Sequence, residues 1–328
     1  MASFERRGKA WRVKVRVAGV SESATFPTKA QAAAWAMERE ASAKSGLPSK
    51  TLHQLFDRYA EEVSPGKRGS RWEIVRLEAF KRDLADRPAV ELQPDHLGQW
   101  RDARMKGAER RRAVAASTVN RELNLIATVL EHARREWKWV TVNVARDVRR
   151  PVNPPARKRT MADDERDRLL DALGYREDAP VATLMQETAV AMLLALETAM
   201  RSTEITSLTW DRVHLARRYV QLERTKNGDA REVPLSRRAV ELLEKLKGRD
   251  RVKVFTVDPA SRDALFRKAK ERARVEGLTF HDTRATALTR LAKKLDVLSL
   301  AKMVGHRDTR SLMIYYRETA ESIAQRLD

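Results

Sequence analysis

The sequence contains no cysteine, which excludes disulfide bonds, zinc sites with thiolate ligands and cysteine nucleophiles. It also lacks a long hydrophobic run. The longest, AVAMLLAL at residues 189–196, is far shorter than the ~20 residues that a helix needs to cross a bilayer. The charged start, MASFERRGKAW, lacks the hydrophobic core of a signal peptide. We therefore expect a soluble, cytoplasmic protein without a membrane partner.

Positive charge, by contrast, is abundant. The 328 residues include 66 lysines and arginines but 46 aspartates and glutamates, which gives a formal net charge of +20 and a pI near 10.4. Such an excess says little about the fold, but it attracts polyanions. Nucleic acid is the leading partner, and an anionic membrane surface is the alternative. The length suggests about two or three domains.

Residues 1–48 predict a small sheet followed by a helix. In the segment WRVKVRV, hydrophobic residues alternate with Arg12, Lys14 and Arg16, so one face of the predicted strand is entirely basic. The segment SATF favours a second strand, and Thr28 then begins a capping sequence for an alanine-rich helix. The basic face could be an ordinary solvated surface or a surface that contacts DNA phosphates.

Residues 49–150 predict a helical domain, because hydrophobic residues recur at helical spacing from Leu52 to the last predicted helix, which begins at Ser117. Residues 151–159 contain three prolines, which favour an extended connection over a helix. A stiff basic strap at this position would suit a protein that surrounds a DNA duplex, and a plain linker is the simpler alternative. The linker ends in three consecutive cations, Arg157, Lys158 and Arg159.

Residues 160–328 predict a third, mostly helical domain with one β-hairpin. The segments YVQLE and REVPL form the hairpin strands, and Asn227-Gly228 is the turn signal between them. The Asp163-Asp164 pair opens a helix, where acidic residues favour the helix dipole, so we do not interpret it as a metal or acid–base site. The expected fold class is mainly α with small β elements (α+β).

A set of six side chains in this third domain shares one chemistry. Two guanidiniums can hold the non-bridging oxygens of a phosphodiester and stabilise the charge of its transition state. Histidines add hydrogen bonds, a lysine at a hairpin tip can protonate the leaving 5′ oxygen, and a tyrosine beside two arginines can attack as a phenolate. Neither a metal ion nor another cofactor is required. The residues are Arg201, Lys226, His281, Arg284, His306 and Tyr315.

In order and spacing, these residues resemble the signature of the tyrosine recombinases of the phage-integrase type. That signature is T-G-x-R-x-x-E, a hairpin lysine, H-x-x-R, L-G-H and a tyrosine nine residues after the last histidine; here the segments read TAMRSTE, Lys226, HDTR, VGH and Tyr315. The spacing selects Tyr315 rather than its neighbour Tyr316. The departures from the signature remove no reactive group; they are Ala199, Ala285 and Val304.

The resemblance implies a site-specific DNA recombinase that cleaves and rejoins DNA through a 3′-phosphotyrosyl intermediate and a Holliday junction. It implies that residues 1–48 bind arm-type DNA, that residues 49–150 bind the core site and that residues 160–328 are catalytic. The expected partners are double-stranded recombination sites, on which four protomers form a homotetramer. Accessory DNA-bending proteins could join this assembly in the cytoplasm of a bacterial host.

The resemblance also implies a role for each residue of the set. Lys226 would be the general acid and Tyr315 the nucleophile, and Glu204 would orient Arg201 without touching DNA. The residues that hold the scissile phosphate would be Arg201, His281, Arg284 and His306.

Two other classes of protein remain open at this stage. A DNA-binding protein without catalytic activity would tolerate the loss of Tyr315 or Lys226, and both residues are present. A type IB topoisomerase uses a closely similar set of residues to relax DNA as a monomer. The sheet-plus-helix pattern of residues 1–48 and the helical pattern that follows favour a recombinase over a topoisomerase.

Overall fold

The computed structural model divides the chain into two compact units, Met1–Pro155 and Ala156–Asp328. Hydrophobic residues form two clusters in the first unit, one around Val13 and one around Phe56, and a further cluster fills the second unit. The residues that the structure describes are 2–8, 10–17, 20–44, 50–107, 112–155, 157, 159–223, 230–306, 308–316 and 324.

A small antiparallel sheet and a helix open the first unit. The elements are strands β1 (Ala2–Arg7), β2 (Ala10–Val17) and β3 (Val20–Phe26), with β2 in the middle, and helix α1 (Lys29–Lys44). Val13 and Val15 of β2 are buried, as their alternation with basic residues predicts, and they pack with Ala32 and Ala36 of α1.

Strand β1 is an element that the sequence pattern does not predict. Its sequence, ASFERR, has a single large hydrophobic residue, Phe4, which is 40% exposed. This strand is defined by backbone pairing with β2 rather than by a hydrophobic pattern. Phe4 lies opposite Val13 in the antiparallel register. The predicted start of α1 is confirmed, because the backbone N–H of Gln31 donates a hydrogen bond to Thr28 Oγ1 (3.3 Å).

Helices build the rest of the first unit. They are α2 (Leu52–Glu62), α3 (Ser70–Asp83), α4 (Pro94–Lys106) and α5 (Ala116–His132), and a π-helical turn (Ala133–Trp137) extends α5. Leu52, Leu55, Phe56 and Tyr59 of α2 are buried, as their helical spacing predicts.

The second unit is mostly helical and contains a small antiparallel sheet. Its helices are α6 (Asp163–Ala172), α7 (Leu184–Thr198), α8 (Ser202–Thr206), α9 (Arg237–Glu244), α10 (Pro259–Ala273), α11 (Asp282–Leu291) and α12 (Val297–Val304). Its strands are β4 (Val213–His214), β5 (Tyr219–Leu222) and β6 (Arg231–Pro234), paired in that order. Strands β5 and β6 form the predicted hairpin, whereas the predicted turn at Asn227-Gly228 lies outside the described residues.

Helix α7 explains the hydrophobic run in the sequence. Residues 189–196 belong to this helix, which packs against α9, α10 and α11 and is buried on almost every side. Among the described helices, none is long and apolar enough to cross a membrane. The predicted fold class, mainly α with small β elements, is confirmed.

The acidic pair at the start of α6 makes local ion pairs. Asp163 accepts from Arg166 (2.7 Å) and Asp164 from Arg168 (3.1 Å). Within the described residues, no three histidine, aspartate or glutamate side chains come together as a group that could hold a metal ion.

Candidate active site

Arg201 and Glu204 face each other across the first turn of α8. Glu204 accepts hydrogen bonds from the backbone N–H of Arg201 (2.8 Å) and from Arg201 Nη1 (2.9 Å). Burial favours a higher pKa for Glu204, but hydrogen bonds from Arg231 and from the Arg201 backbone outweigh it and hold the pKa below its usual range. Glu204 is therefore an ionised carboxylate that fixes the direction of Arg201.

The turn before Arg201 shows why the recombinase signature has glycine there. Ala199 ends α7 with φ at 51°, in the left-handed region that glycine adopts most easily. Its carbonyl oxygen accepts a hydrogen bond from Arg284 Nη1. This turn therefore brings Arg284, from α11, next to the segment that carries Arg201.

Arg284 is the most deeply buried cation among the predicted catalytic residues that the structure describes, with 5% of its surface exposed. Its Nη2 lies 3.2 Å from the carbonyl oxygen of Val304 and 3.0 Å from His306 Nε2. Burial and the neighbouring Arg201 lower the pKa of Arg284 to about 10, so the side chain remains charged at neutral pH. His281, by contrast, is exposed at the residue that precedes α11.

The contacts of His306 define its tautomer. A guanidinium can only donate, so His306 Nε2 accepts the hydrogen bond from Arg284. The proton is then on Nδ1, which donates to Ser311 Oγ (2.8 Å), and that hydroxyl donates to the carbonyl oxygen of Asp308 (2.9 Å). Burial and the charges of Arg284 and Arg201 lower the pKa of His306 to about 4, so the imidazole is neutral at pH 7.

The two adjacent tyrosines have different surroundings. Tyr316 donates a hydrogen bond from its hydroxyl to the carbonyl oxygen of Leu295 (2.8 Å). Tyr315 ends the short 3-10 turn Met313–Tyr315 and packs against the hydrophobic cluster of the second unit. Burial raises the pKa of Tyr315, while the charge of Arg284 opposes that increase. The Tyr315 phenol therefore lies within the electrostatic reach of Arg284, and it is protonated at neutral pH.

Arg231 is a member of the site that the sequence analysis misses. Its Nη2 donates to Glu204 Oε2 (2.8 Å), and its Nε donates to the carbonyl oxygen of Met303 (3.0 Å). The sequence does contain a signal, because the alternation along β6 puts Arg231 on the same face as Val233, which is fully buried.

The charges of this cluster do not balance. The guanidiniums of Arg201, Arg231 and Arg284 surround the single carboxylate of Glu204, and His306 beside them is neutral. The described side chains therefore leave a local excess of positive charge. An anion such as a phosphodiester would be stabilised there.

Two predicted site residues, Lys158 and Lys226, lie outside the described residues. The neighbours of Lys158 contact the second unit itself. Arg157 makes a two-point ion pair with Asp282, with Nε–Oδ1 and Nη2–Oδ2 distances of 3.0 and 2.7 Å. Arg159 pairs with Glu165 and with backbone carbonyls. The structure thus gives both arginines intramolecular partners.

The predicted basic face of the first sheet is present. Lys14 and Arg16 are exposed on β2, and Arg12 is half-buried beside them, with its Nη2 3.3 Å from Ser23 Oγ. The register puts Thr25, Ser23 and Ser21 of β3 next to these cations. One face of the sheet therefore combines cations with a row of hydroxyl groups.

Comparison with known proteins agrees with this site. The sequence pattern of the phage integrase family matches residues 159–322. A putative integrase/recombinase of Haemophilus influenzae is 38% identical, over 96% of this chain and 87% of that protein. A shufflon-specific DNA recombinase of Escherichia coli is 33% identical, over 85% of this chain and 72% of that protein.

A solved structure has the same fold. A lambda integrase tetramer bound to a Holliday junction matches with a TM-score of 0.66 and 18% identity, over 96% of this chain and 99% of that chain. The chain described here belongs to the phage integrase family. It is a site-specific DNA recombinase of the tyrosine class, which confirms the resemblance found in the sequence.

Proposed function

We propose that this recombinase cleaves DNA with Tyr315 as the nucleophile, at a phosphate held by Arg201 and Arg284. The observation that carries the proposal is that Arg284, a member of the cluster with more guanidinium than carboxylate charge, acts electrostatically on the Tyr315 phenol, while the hydroxyl of Tyr316 is bound to Leu295. Two guanidiniums on the non-bridging oxygens would stabilise the charge that builds up during attack.

In the proposed reaction, the Tyr315 phenol gives up its proton to solvent, and the resulting phenolate oxygen attacks the phosphorus and forms a 3′-phosphotyrosyl bond. The bond from phosphorus to the 5′ oxygen breaks, and Lys226 donates a proton to that oxygen. The bond energy is conserved, so a 5′ hydroxyl from the partner strand can attack the phosphotyrosine and rejoin the DNA. Two such exchanges proceed through a Holliday junction.

His306 takes part once the phosphate arrives. In the free protein its Nε2 accepts from Arg284 and cannot donate to the phosphate. A bound phosphate offsets the positive charge that lowers the pKa of His306. The imidazole can then gain a proton and donate to a phosphate oxygen. His281, exposed at the start of α11, can approach the same phosphate from the solvent side.

The other parts of the chain would bind DNA without cleaving it. Residues 1–48 would contact arm-type sites through the basic face of Arg12, Lys14 and Arg16, residues 49–150 would bind the core site, and residues 160–328 would cleave. The fold shared with lambda integrase, solved as a tetramer on a Holliday junction, supports four protomers on double-stranded DNA. Such an assembly would act in the cytoplasm, and accessory DNA-bending proteins could assist it.

A covalent-trapping experiment tests the proposal. The target is first identified by sequencing genomic strands that become attached to the protein, and a nicked duplex with that sequence then serves as a suicide substrate. Wild type and Tyr316→Phe should form the covalent complex, whereas Tyr315→Phe should bind the duplex but form none. A covalent complex with Tyr315→Phe, and none with Tyr316→Phe, would show that the nucleophile is Tyr316. Relaxation of plasmids without the target sequence would indicate a topoisomerase instead.

A further inference from the structure

Arg231 connects two parts of the active site through one side chain. Its hydrogen bonds reach Glu204 on α8 and the carbonyl oxygen of Met303 at the end of α12. Glu204 also holds Arg201, and Met303 lies three residues before His306. Because the Arg231 side chain is only 7% exposed, water contributes little to these contacts. The guanidinium therefore links the direction of Arg201 to the position of the turn that carries His306.

Gly305 allows this link to be short. Its φ of +69° is in the left-handed region that favours glycine. A Cβ at this position would lie 3.0 Å from Arg231 Cδ and 3.1 Å from its Nε and Nη1. The turn before His306 therefore lies close to the Arg231 side chain, which would have to shift to accommodate a Cβ at position 305. Both packing against Arg231 and the left-handed backbone conformation therefore favour glycine in the V-G-H segment.

The third nitrogen of Arg231 shows that this arrangement is not optimised for stability alone. Arg231 Nη1 is buried and has no hydrogen-bond partner among the residues that the structure describes. A buried donor without a partner is unfavourable, and such groups are few in folded proteins. Its presence here indicates that the guanidinium is kept for its position between Glu204 and the Gly305 turn.

We propose that Arg231 is a positioning residue for strand cleavage, which holds Arg201 and His306 in their relative places before DNA binds. This inference rests on the proposed function of those two residues. Arg231 is not assigned a contact with the phosphate, because its Nε and Nη2 already donate within the protein. Since Arg231 begins β6, five residues after Lys226, it also fixes one end of the hairpin on the active site.

The first test separates cleavage from DNA binding. Arg231→Met removes the guanidinium and keeps a side chain of similar length, and Arg237→Met is the matched control, because Arg237 is exposed at the start of α9. A displacement of catalytic groups by about 1 Å can slow a reaction ~10²-fold. We expect Arg231→Met to slow covalent-complex formation on the suicide duplex by about that factor, with nearly unchanged affinity. Arg237→Met should change neither quantity.

A second measurement distinguishes positioning from a general loss of structure. In the DNA-free protein, Arg231 adds to the charges that lower the pKa of His306, so Arg231→Met should raise the His306 midpoint in an NMR titration. Arg231→Lys keeps the charge but cannot reach both Glu204 and Met303 with fixed geometry. Arg231→Lys should therefore cleave more slowly than wild type. If Arg231→Met does not fold, the cleavage rate of Arg231→Lys is the test of the positioning role.

The outcomes that overturn the inference are specific. A wild-type cleavage rate in the folded Arg231→Met protein, or in Arg231→Lys if the former does not fold, would exclude a positioning role. A loss of DNA affinity as large as the loss of rate would instead make Arg231 a phosphate ligand. Tyr315→Phe in the same assay keeps the two proposals apart. If it still forms the covalent complex, the proposed function itself is wrong.

Discussion

Arg284 Nη2 and His306 Nε2 lie 3.0 Å apart, and this contact fixes His306 as a neutral hydrogen-bond acceptor in the free protein. Two side chains that are both proposed to donate to a phosphate are thus joined to each other. The contact adds to the hydrogen bonds that Arg284 donates to the carbonyl oxygens of Ala199 and Val304. It also makes the protonation of His306 a reporter of phosphate binding.

We expect His306 to titrate with a midpoint near pH 4 in the free protein, since burial and the nearby arginines disfavour its charged form. NMR of ¹⁵N-labelled imidazoles measures this midpoint directly. Addition of the target duplex to Tyr315→Phe, which is expected to bind but not to cleave, should raise this midpoint. A midpoint near the ordinary value of ~6.5 without DNA would contradict the contact with Arg284.

The same pKa shift predicts how stability depends on pH. The pKa of His306 is lower in the folded protein than in the unfolded chain, so the unfolded state binds more protons between the two values. His306 therefore stabilises the fold above about pH 6.5, and this contribution disappears as the pH falls toward 4. In urea titrations, the free energy of unfolding of His306→Gln should decrease less than that of wild type when the pH is lowered from about 6.5 to 4.

Lys226→Ala should cleave ~10²–10⁴-fold more slowly than wild type, because the 5′ oxygen leaves poorly without a proton. A thiolate leaves readily, since thiol pKa values lie near ~8.5. Replacing the bridging 5′ oxygen of the substrate by sulfur should therefore restore cleavage by Lys226→Ala, whereas Tyr315→Phe should stay inactive on the same substrate. An equally large Lys226→Ala defect with sulfur would mean that the proton comes from another group, with His281 the next candidate.

Arg157→Gln should weaken the fold more than it weakens DNA binding, because Arg157 is held by the buried carboxylate of Asp282. Loss of these charged hydrogen bonds should lower the free energy of unfolding by about 1–3 kcal/mol. The salt dependence of DNA affinity should remain that of wild type. If Arg157 contacts a phosphate, Arg157→Gln would instead reduce the slope of log affinity against log salt concentration by about 1. We expect this result for Arg12→Gln on the basic sheet face.

Glu122→Ala should destabilise the first unit. Glu122 is 1% exposed on α5 and accepts from Arg104 (2.8 Å) and Arg76 (2.9 Å). Its removal leaves the buried charge of Arg104 without its partner, which typically costs about 3–5 kcal/mol. Glu136→Ala, at an exposed position, should change the free energy of unfolding by less than about 0.5 kcal/mol. Equal effects of the two variants in denaturant titrations would contradict a stabilising role for the buried pair.

The sequence by itself determined the class of protein, the fold class and those elements that have a clear hydrophobic pattern. Helical spacing identifies α2 from Leu52 onward, and alternation identifies β2 around Val13, because both patterns depend on neighbours a few residues apart. The order and spacing of Arg201, Arg284 and Tyr315 identify a tyrosine recombinase for the same reason. Each motif residue is recognised by the residues beside it, and these neighbours can be read directly from the sequence.

Only the tertiary structure decided how these groups contact one another. Strand β1 depends on pairing with β2, the tautomer of His306 depends on Arg284 of α11, and Arg157 pairs with Asp282, 125 positions away. Arg231 belongs to the site because folding buries it beside Glu204, 27 residues away in the sequence. Burial and ion pairing arise between segments that are distant in the chain. They depend on three-dimensional proximity and desolvation, which local sequence periodicity does not encode.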